Sequence, residues 1–272
     1  MKDFNSNPFS LLKSVMGHSE LLIALIKRQV IGRYKGSVFG LFWSFVNPVF
    51  MLAIYTFVFS YIFKGKWDVA MDQQGAFAMI LFAGLLIFNF FSECLTASST
   101  LILSNANYVK KVVFPLEILP CVNLGNAFFH FCVSLFAWLI GALLVFHSIS
   151  VYAFLIPVIL FPFIVLVLGL SMLVSALGVY FRDISQLIGL LVTAMMFVAP
   201  IFYPMSSVPE DYQIVILLNP LTMPVIEIRN ILIFGRLPDW QLVSIYFVVS
   251  IVVFSICFVF FQKMRRGFSD VM

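Results

Sequence analysis

Few side chains in this 272-residue sequence are placed to do chemistry. The three histidines, His18, His130 and His147, are far apart and make no metal-ligand spacing. Cys94, Cys121, Cys132 and Cys257 lie in apolar stretches without C-x-x-C pairs and read as small buried hydrophobes. Gly32-Arg-Tyr-Lys-Gly-Ser37 carries its Lys before the second Gly, so it is not a phosphate-binding loop. No Ser/His/Asp or Cys/His set can be argued. The sequence therefore predicts no catalytic residue, no metal and no cofactor on this chain. Glu93 and Glu117 are the main ionisable groups in apolar segments, where such groups are functional candidates by default. Glu93 reads either as a hydrogen-bonded strut between helices or as part of a solute path. Glu117 stands near a helix start, where negative charge is favoured.

Aromatic rings are the abundant resource, with 33 Phe, 9 Tyr and 4 Trp. Tyr55, Phe59 and Phe63 repeat every four residues, which makes one stripe on a helix. Phe197, Phe202 and Tyr203 close a later apolar segment. Two readings stand. The rings form interfacial belts facing lipid, or they form a slide on which sugar rings stack through their C–H faces. A moving polymer needs weak, repeated contacts rather than one tight site.

The elements that must carry these rings follow from composition. The chain is 62% hydrophobic and 10% charged, where a soluble domain has about 25% charged residues. The fold class is all-α, a polytopic membrane protein of one domain. Six apolar segments, 37–63, 75–97, 116–146, 151–179, 184–203 and 241–262, each reach the roughly 20 residues that a span requires. Residues 1–18 read as a loosely held polar tail. Residues 19–35 read as an interfacial helix with Leu22, Ile23, Ile26 and Val30 on one face. Arg33-Tyr-Lys35 marks entry to the membrane, and Asn47-Pro48 puts an amide and a missing N–H inside the first span.

Of the sixteen Lys and Arg residues, twelve fall in inner segments if the N-terminus is cytoplasmic, which places both termini inside. The basic residues form short clusters beside apolar runs, which is not a nucleic-acid signature. Two inner connections stand out: 98–115, with Asn105, Tyr108, Lys110 and Lys111, and Tyr180-Phe-Arg182-Asp183-Ile184. Arg182 and Asp183 read equally as topology anchors or as knobs for a cytoplasmic partner. The outer connection 204–239 is broken by Pro204, Pro209, Pro220, Pro224 and Pro238. Its two apolar pieces are too short to span, so 204–235 reads as a re-entrant helical hairpin.

Three places together resemble one family. Arg33-Tyr-Lys-Gly-Ser-x-x-Gly40-x-x-Trp43-x-x-x-Asn47-Pro48 resembles the start of the membrane subunits of polysaccharide-exporting ATP-binding cassette transporters. Tyr180–Ile184 is similar to their fourth-to-fifth span junction. Pro200–Pro204, Val208-Pro209 and Asn219-Pro220-Leu221 resemble their outer re-entrant region. The pattern is similar above all to permeases for lipid-linked O-antigen polysaccharide.

The resemblance implies a homodimer in the bacterial inner membrane with two nucleotide-binding subunits, which would hold ATP and Mg. Asn105, Tyr108, Lys110, Lys111, Arg182 and Asp183 would couple to those ATPases. Trp43, Asn47, Tyr55, Phe59, Phe63, Phe197, Phe202 and Tyr203 would line a glycan channel, with Pro204, Pro209, Asn219 and Pro220 at its outer gate. A teichoic-acid or capsular polysaccharide permease is the alternative substrate class. An ion-coupled carrier or channel is disfavoured by spans nearly empty of charge. A glycosyltransferase would require Glu210, Asp211 and Glu227 to cluster.

Overall fold

The computed structural model describes residues 8–58, 75–109 and 114–271. Among these every regular element is helical: α1 (Phe9–Gly17), α2 (Ser19–Tyr34), α3 (Trp43–Tyr55), α4 (Ala76–Ser98), α5 (Leu101–Ser104), α6 (Ala106–Val109), α7 (Ile118–Phe146), α8 (Ile156–Tyr180), α9 (Ile184–Val198), α10 (Glu210–Leu217), α11 (Thr222–Leu232), α12 (Trp240–Met264) and α13 (Phe268–Val271). In hydrocarbon every backbone N–H and C=O must find a partner within its own segment, which selects helix for sequences this apolar. The run Gly40–Val58 and the helices containing α4, α7, α8 and α12 are long and apolar enough to cross a membrane.

The hydrophobic core is built around α4. Met79, Leu86, Phe91 and Cys94 on it are almost completely buried. Helix α7 is fastened to α4 by hydrogen bonds as well as packing. Trp138 Nε1 donates to the Met79 carbonyl at 2.9 Å, and Asn123 Nδ2 donates to the Cys94 carbonyl at 2.8 Å. Helices α8 and α12 lie side by side. A Cβ on Gly169 would stand 2.7 Å from the Phe254 Cα, so glycine sets their separation. By contrast α3 buries none of its residues fully. The helix runs through Pro48 without ending, although proline removes the hydrogen bond to Ser44.

Four expectations change. The first 18 residues are not all a loose tail, because α1 is helical and buries Leu11. On α2 the buried residues are Leu25 and Val30, while Ile23 is exposed. An i, i+3, i+4 stripe through Leu22, Leu25 and Ile26 packs beside Ile118 and Val122 of α7, and Ile23 lies off that stripe. Cys132 is exposed rather than buried. Finally, the segment expected over 184–203 is helical only to Val198, 15 residues or about 22 Å. Pro200 is the cause. A residue before proline is driven out of the α region, and Ala199 is extended, at φ −69° and ψ 147°.

Beyond that break the connection 204–239 forms α10 and α11, bent by 96° at 218–221. The bend is tied on three sides. Asn219 Nδ2 donates to the Met195 carbonyl of α9 at 2.8 Å, Tyr246 of α12 donates to the Pro220 carbonyl at 2.8 Å, and Thr222 donates to the Ile216 carbonyl. Pro209 directly precedes α10, and Pro204 is extended.

Candidate functional site

The entry stretch and Glu93 meet in one place. Helix α2 ends at Tyr34, and the chain turns through Gly36 and Gly40, at φ +88° and +52°, conformations that favour glycine. It then rises as α3 alongside α4 and α7. Between these helices lies a cavity of about 240 Å³. Its walls combine Ser44, Asn47 and Tyr55 from α3, Asn89 and Glu93 from α4, and His130 and Ser134 from α7. Phe82, Phe90 and Phe131 add aromatic side chains to the lining. A wider recess of about 800 Å³ adjoins it and shares Arg33, Asn89 and Glu93.

Glu93 is the charged centre of this lining. Its Oε1 accepts from Arg33 at 2.5 Å and from Asn126 at 3.2 Å, and His130 Nε2 lies 3.9 Å away. Glu93 thus fastens α2 to α4 and α7. The strut that the sequence allows is present, and the same carboxylate faces both hollows. Tyr34 stands 3.4 Å from His130 Nδ1. Burial raises the Tyr34 phenol above its usual value, against the lowering effect of Arg33, so it stays protonated at neutral pH.

The Arg33 side chain is 53% exposed, so its pair with Glu93 contributes little stability, about 0–1 kcal/mol. Arg33→Gln is expected to shift the unfolding midpoint of the detergent-solubilised protein by no more than that implies. A large loss of folded protein would show that the pair holds the entry turn together.

The predicted channel residues separate into groups. Asn47 and Tyr55 line the cavity. Trp43 instead packs edge-on against Phe39, at 5.7 Å between centroids, and is 38% exposed. Phe197, exposed in the last turn of α9, stacks at 6.0 Å on Phe202 beyond the helix end. Tyr203 donates to the Val198 carbonyl at 2.7 Å, so its hydroxyl closes the end of α9. Phe59 and Phe63 lie outside the described residues, as do Lys110 and Lys111.

Of the residues expected to couple to an ATPase, Asn105 donates to the Leu101 carbonyl at 2.8 Å and closes α5. Tyr108 stacks on Phe114 at 4.3 Å. Arg182 and Asp183 are exposed in the turn between α8 and α9. Glu210 and Asp211 are exposed on the first turn of α10. Glu227 is buried on α11, where it accepts from Asn230 and from the Asp239 amide. The three carboxylates expected of a glycosyltransferase thus stand in different surroundings. Among the described residues no group of three His, Cys, Asp or Glu is placed to hold a metal.

Sequence reasoning missed Arg229. It is 3% exposed and donates to the carbonyls of Ile80, Pro200 and Ile201 at 3.0, 2.5 and 2.7 Å. Counting it only as an outer positive charge overlooked its place inside the apolar run Met223–Phe234, where a charge calls for a named partner.

Long apolar helices, a proline-broken connection and a mixed polar and aromatic cavity define a multi-pass helical membrane protein built around an internal recess. A family model described as ABC-2 type transporter matches residues 20–233, and the chain belongs to that family. Among curated relatives, two from Klebsiella pneumoniae named "O-antigen export system permease protein RfbA" are 27% and 26% identical, each over 93% of this chain and 95% of the relative. A protein of the same name from Myxococcus xanthus is 25% identical over 96% of this chain and 98% of its own length.

Proposed function

We propose that this chain is the membrane subunit of an ATP-driven exporter that moves a lipid-linked O-antigen polysaccharide from cytoplasm to periplasm across the bacterial inner membrane. The observation that carries this reading is the end-to-end likeness to relatives named as O-antigen export permeases. Two copies form the path with two separate nucleotide-binding subunits, which bind ATP and Mg and perform the hydrolysis. Both termini are cytoplasmic, and 204–235 re-enters the membrane from the outside as the outer gate. A polymer of sugars needs hydroxyl-tolerant, repeated contacts, and Asn47, Tyr55, Asn89, Phe82 and Phe90 offer amides and aromatic rings of that kind.

The inner connections around Asn105–Lys111 and Arg182-Asp183 seat the ATPases. Arg182→Glu and Asp183→Lys are therefore expected to abolish co-purification with the ATPase while leaving the membrane subunit folded. A deletion strain should accumulate lipid-linked polysaccharide inside and lose it from the surface. This chain with its ATPase restores the surface polymer, and a hydrolysis-dead ATPase does not. Restoration by this chain without any ATPase contradicts the proposal.

A further inference from the structure

A second hydrophobic cluster sits apart from the core around α4, at the inner ends of the helices. It joins Leu11 of α1, Leu101 and Ile102 of α5, Leu116 and Leu119 at the start of α7, Val179 of α8, Phe258 and Phe261 of α12, and Phe268 of α13. Phe268 is completely buried, so the C-terminal residues pack into this cluster. Three polar contacts pin them there, and a fourth, from Ser14, holds Glu117 in place. Arg265 pairs with Glu117, both largely buried, at 10% and 13% side-chain exposure. Arg265 also donates to the Phe114 carbonyl at 3.2 Å, and Ser14 of α1 donates to Glu117 at 2.9 Å. Tyr180 donates to the Met264 carbonyl at 2.9 Å.

These contacts reach both inner connections. Phe114, held by Arg265, stacks on Tyr108 of the first. Tyr180, held by Met264, stands two residues before Arg182 of the second. The first connection also meets α8 directly, two residues before the second begins, since a Cβ on Gly178 would lie 2.0 Å from the Ser99 carbonyl oxygen. Packed interiors transmit displacement rather than absorb it. A push on either connection therefore reaches the other through one rigid body.

We propose that the segment 264–271 is a clasp that fuses the two inner connections into a single seat for the ATP-binding partner, with Arg265 and Glu117 as its positioning residues. The clasp makes both connections move together, so that a nucleotide-driven displacement is delivered to α4 and α8 at once. This rests on the ATP-driven reading above.

The test uses the complex of this chain with its ATPase partner in proteoliposomes, and reads ATP hydrolysed per polysaccharide moved. Arg265→Gln is expected to keep the complex and its hydrolysis while export falls at least about tenfold. Removing one partner of a buried pair strands a charge, so the double variant Glu117→Gln/Arg265→Gln, which strands none, is measured beside it and should be uncoupled too. Arg265→Lys keeps the charge opposite Glu117 and should recover most of the export. An unchanged ratio in the double variant, with the complex intact, overturns the clasp. So does loss of complex, hydrolysis and export in equal proportion, which marks a purely structural role. A wild-type chain that exports without any ATPase overturns the ATP-driven reading instead.

Discussion

Arg229→Leu is expected to cost the protein much of its folded population, a larger loss than any substitution in the cavity lining. Arg229 is one side chain serving three carbonyls, of which those of Pro200 and Ile201 lie outside any helix. Ile80 lies in the early part of α4, while Pro200 and Ile201 form the break after α9. Leucine fills similar space but donates nothing. Each buried polar group left without a partner costs about 1–3 kcal/mol, and the two non-helical carbonyls are stranded at once, for a total of roughly 2 kcal/mol or more. Against a typical folding free energy of about 5–15 kcal/mol this is a large fraction.

Unfolding in detergent, followed by tryptophan fluorescence or thermal aggregation, reads the loss. Arg229→Lys keeps the charge but not the planar fork, and should fall between the two. Gly84 makes room for the guanidinium, since a Cβ there would come within 2.7 Å of Arg229 Nη2. Gly84→Ala is accordingly expected to be milder, because a side-chain end can yield. If Arg229→Leu folds normally but fails to export, Arg229 belongs to the solute path rather than to the scaffold.

Gly178→Ala is expected to destabilise by about 1–3 kcal/mol, the usual cost of overpacking, from the addition of one methyl group. The added carbon would lie 2.0 Å from the Ser99 carbonyl oxygen and 3.0 Å from its carbon. Those are backbone atoms at the α4–α5 turn, so the helices themselves must separate. Gly189→Ala on α9 has nothing within 4 Å of the added Cβ and should be close to neutral. The paired comparison removes the general effect of alanine on helix propensity. Equal, negligible effects in both would show that the C-terminal ends of α4 and α8 are not in close contact.

How much of this was legible beforehand depends on the residue. Pattern and composition are local quantities, and they found the helical class and the proline-rich connection over 204–239. The Pro200 break could have been anticipated, because the effect of proline on the residue before it is local as well. The Glu93 strut was one of two open readings, and its partner could not be chosen. Arg33 lies sixty positions away in the chain, and only the fold brings them together. His130 was set aside because no second histidine stood near it in sequence, yet it faces Glu93 across the cavity. Arg229 was the clearest oversight, since a charge within an apolar run is visible in the sequence itself. The clasp could not be read at all. Its contacts join Ser14, Glu117, Tyr180 and Arg265, which are far apart in the chain, and no spacing rule links them.

The most direct measurement of the central claim uses inside-out membrane vesicles containing this chain, its ATP-binding partner and labelled lipid-linked polysaccharide. Added ATP should carry the label into the vesicle interior, where it becomes protected from externally added glycosidase. A hydrolysis-dead partner should leave the label exposed, and dissipating the proton gradient should leave transport intact. Protection that develops without the partner, or that requires the gradient and not ATP, would contradict the account.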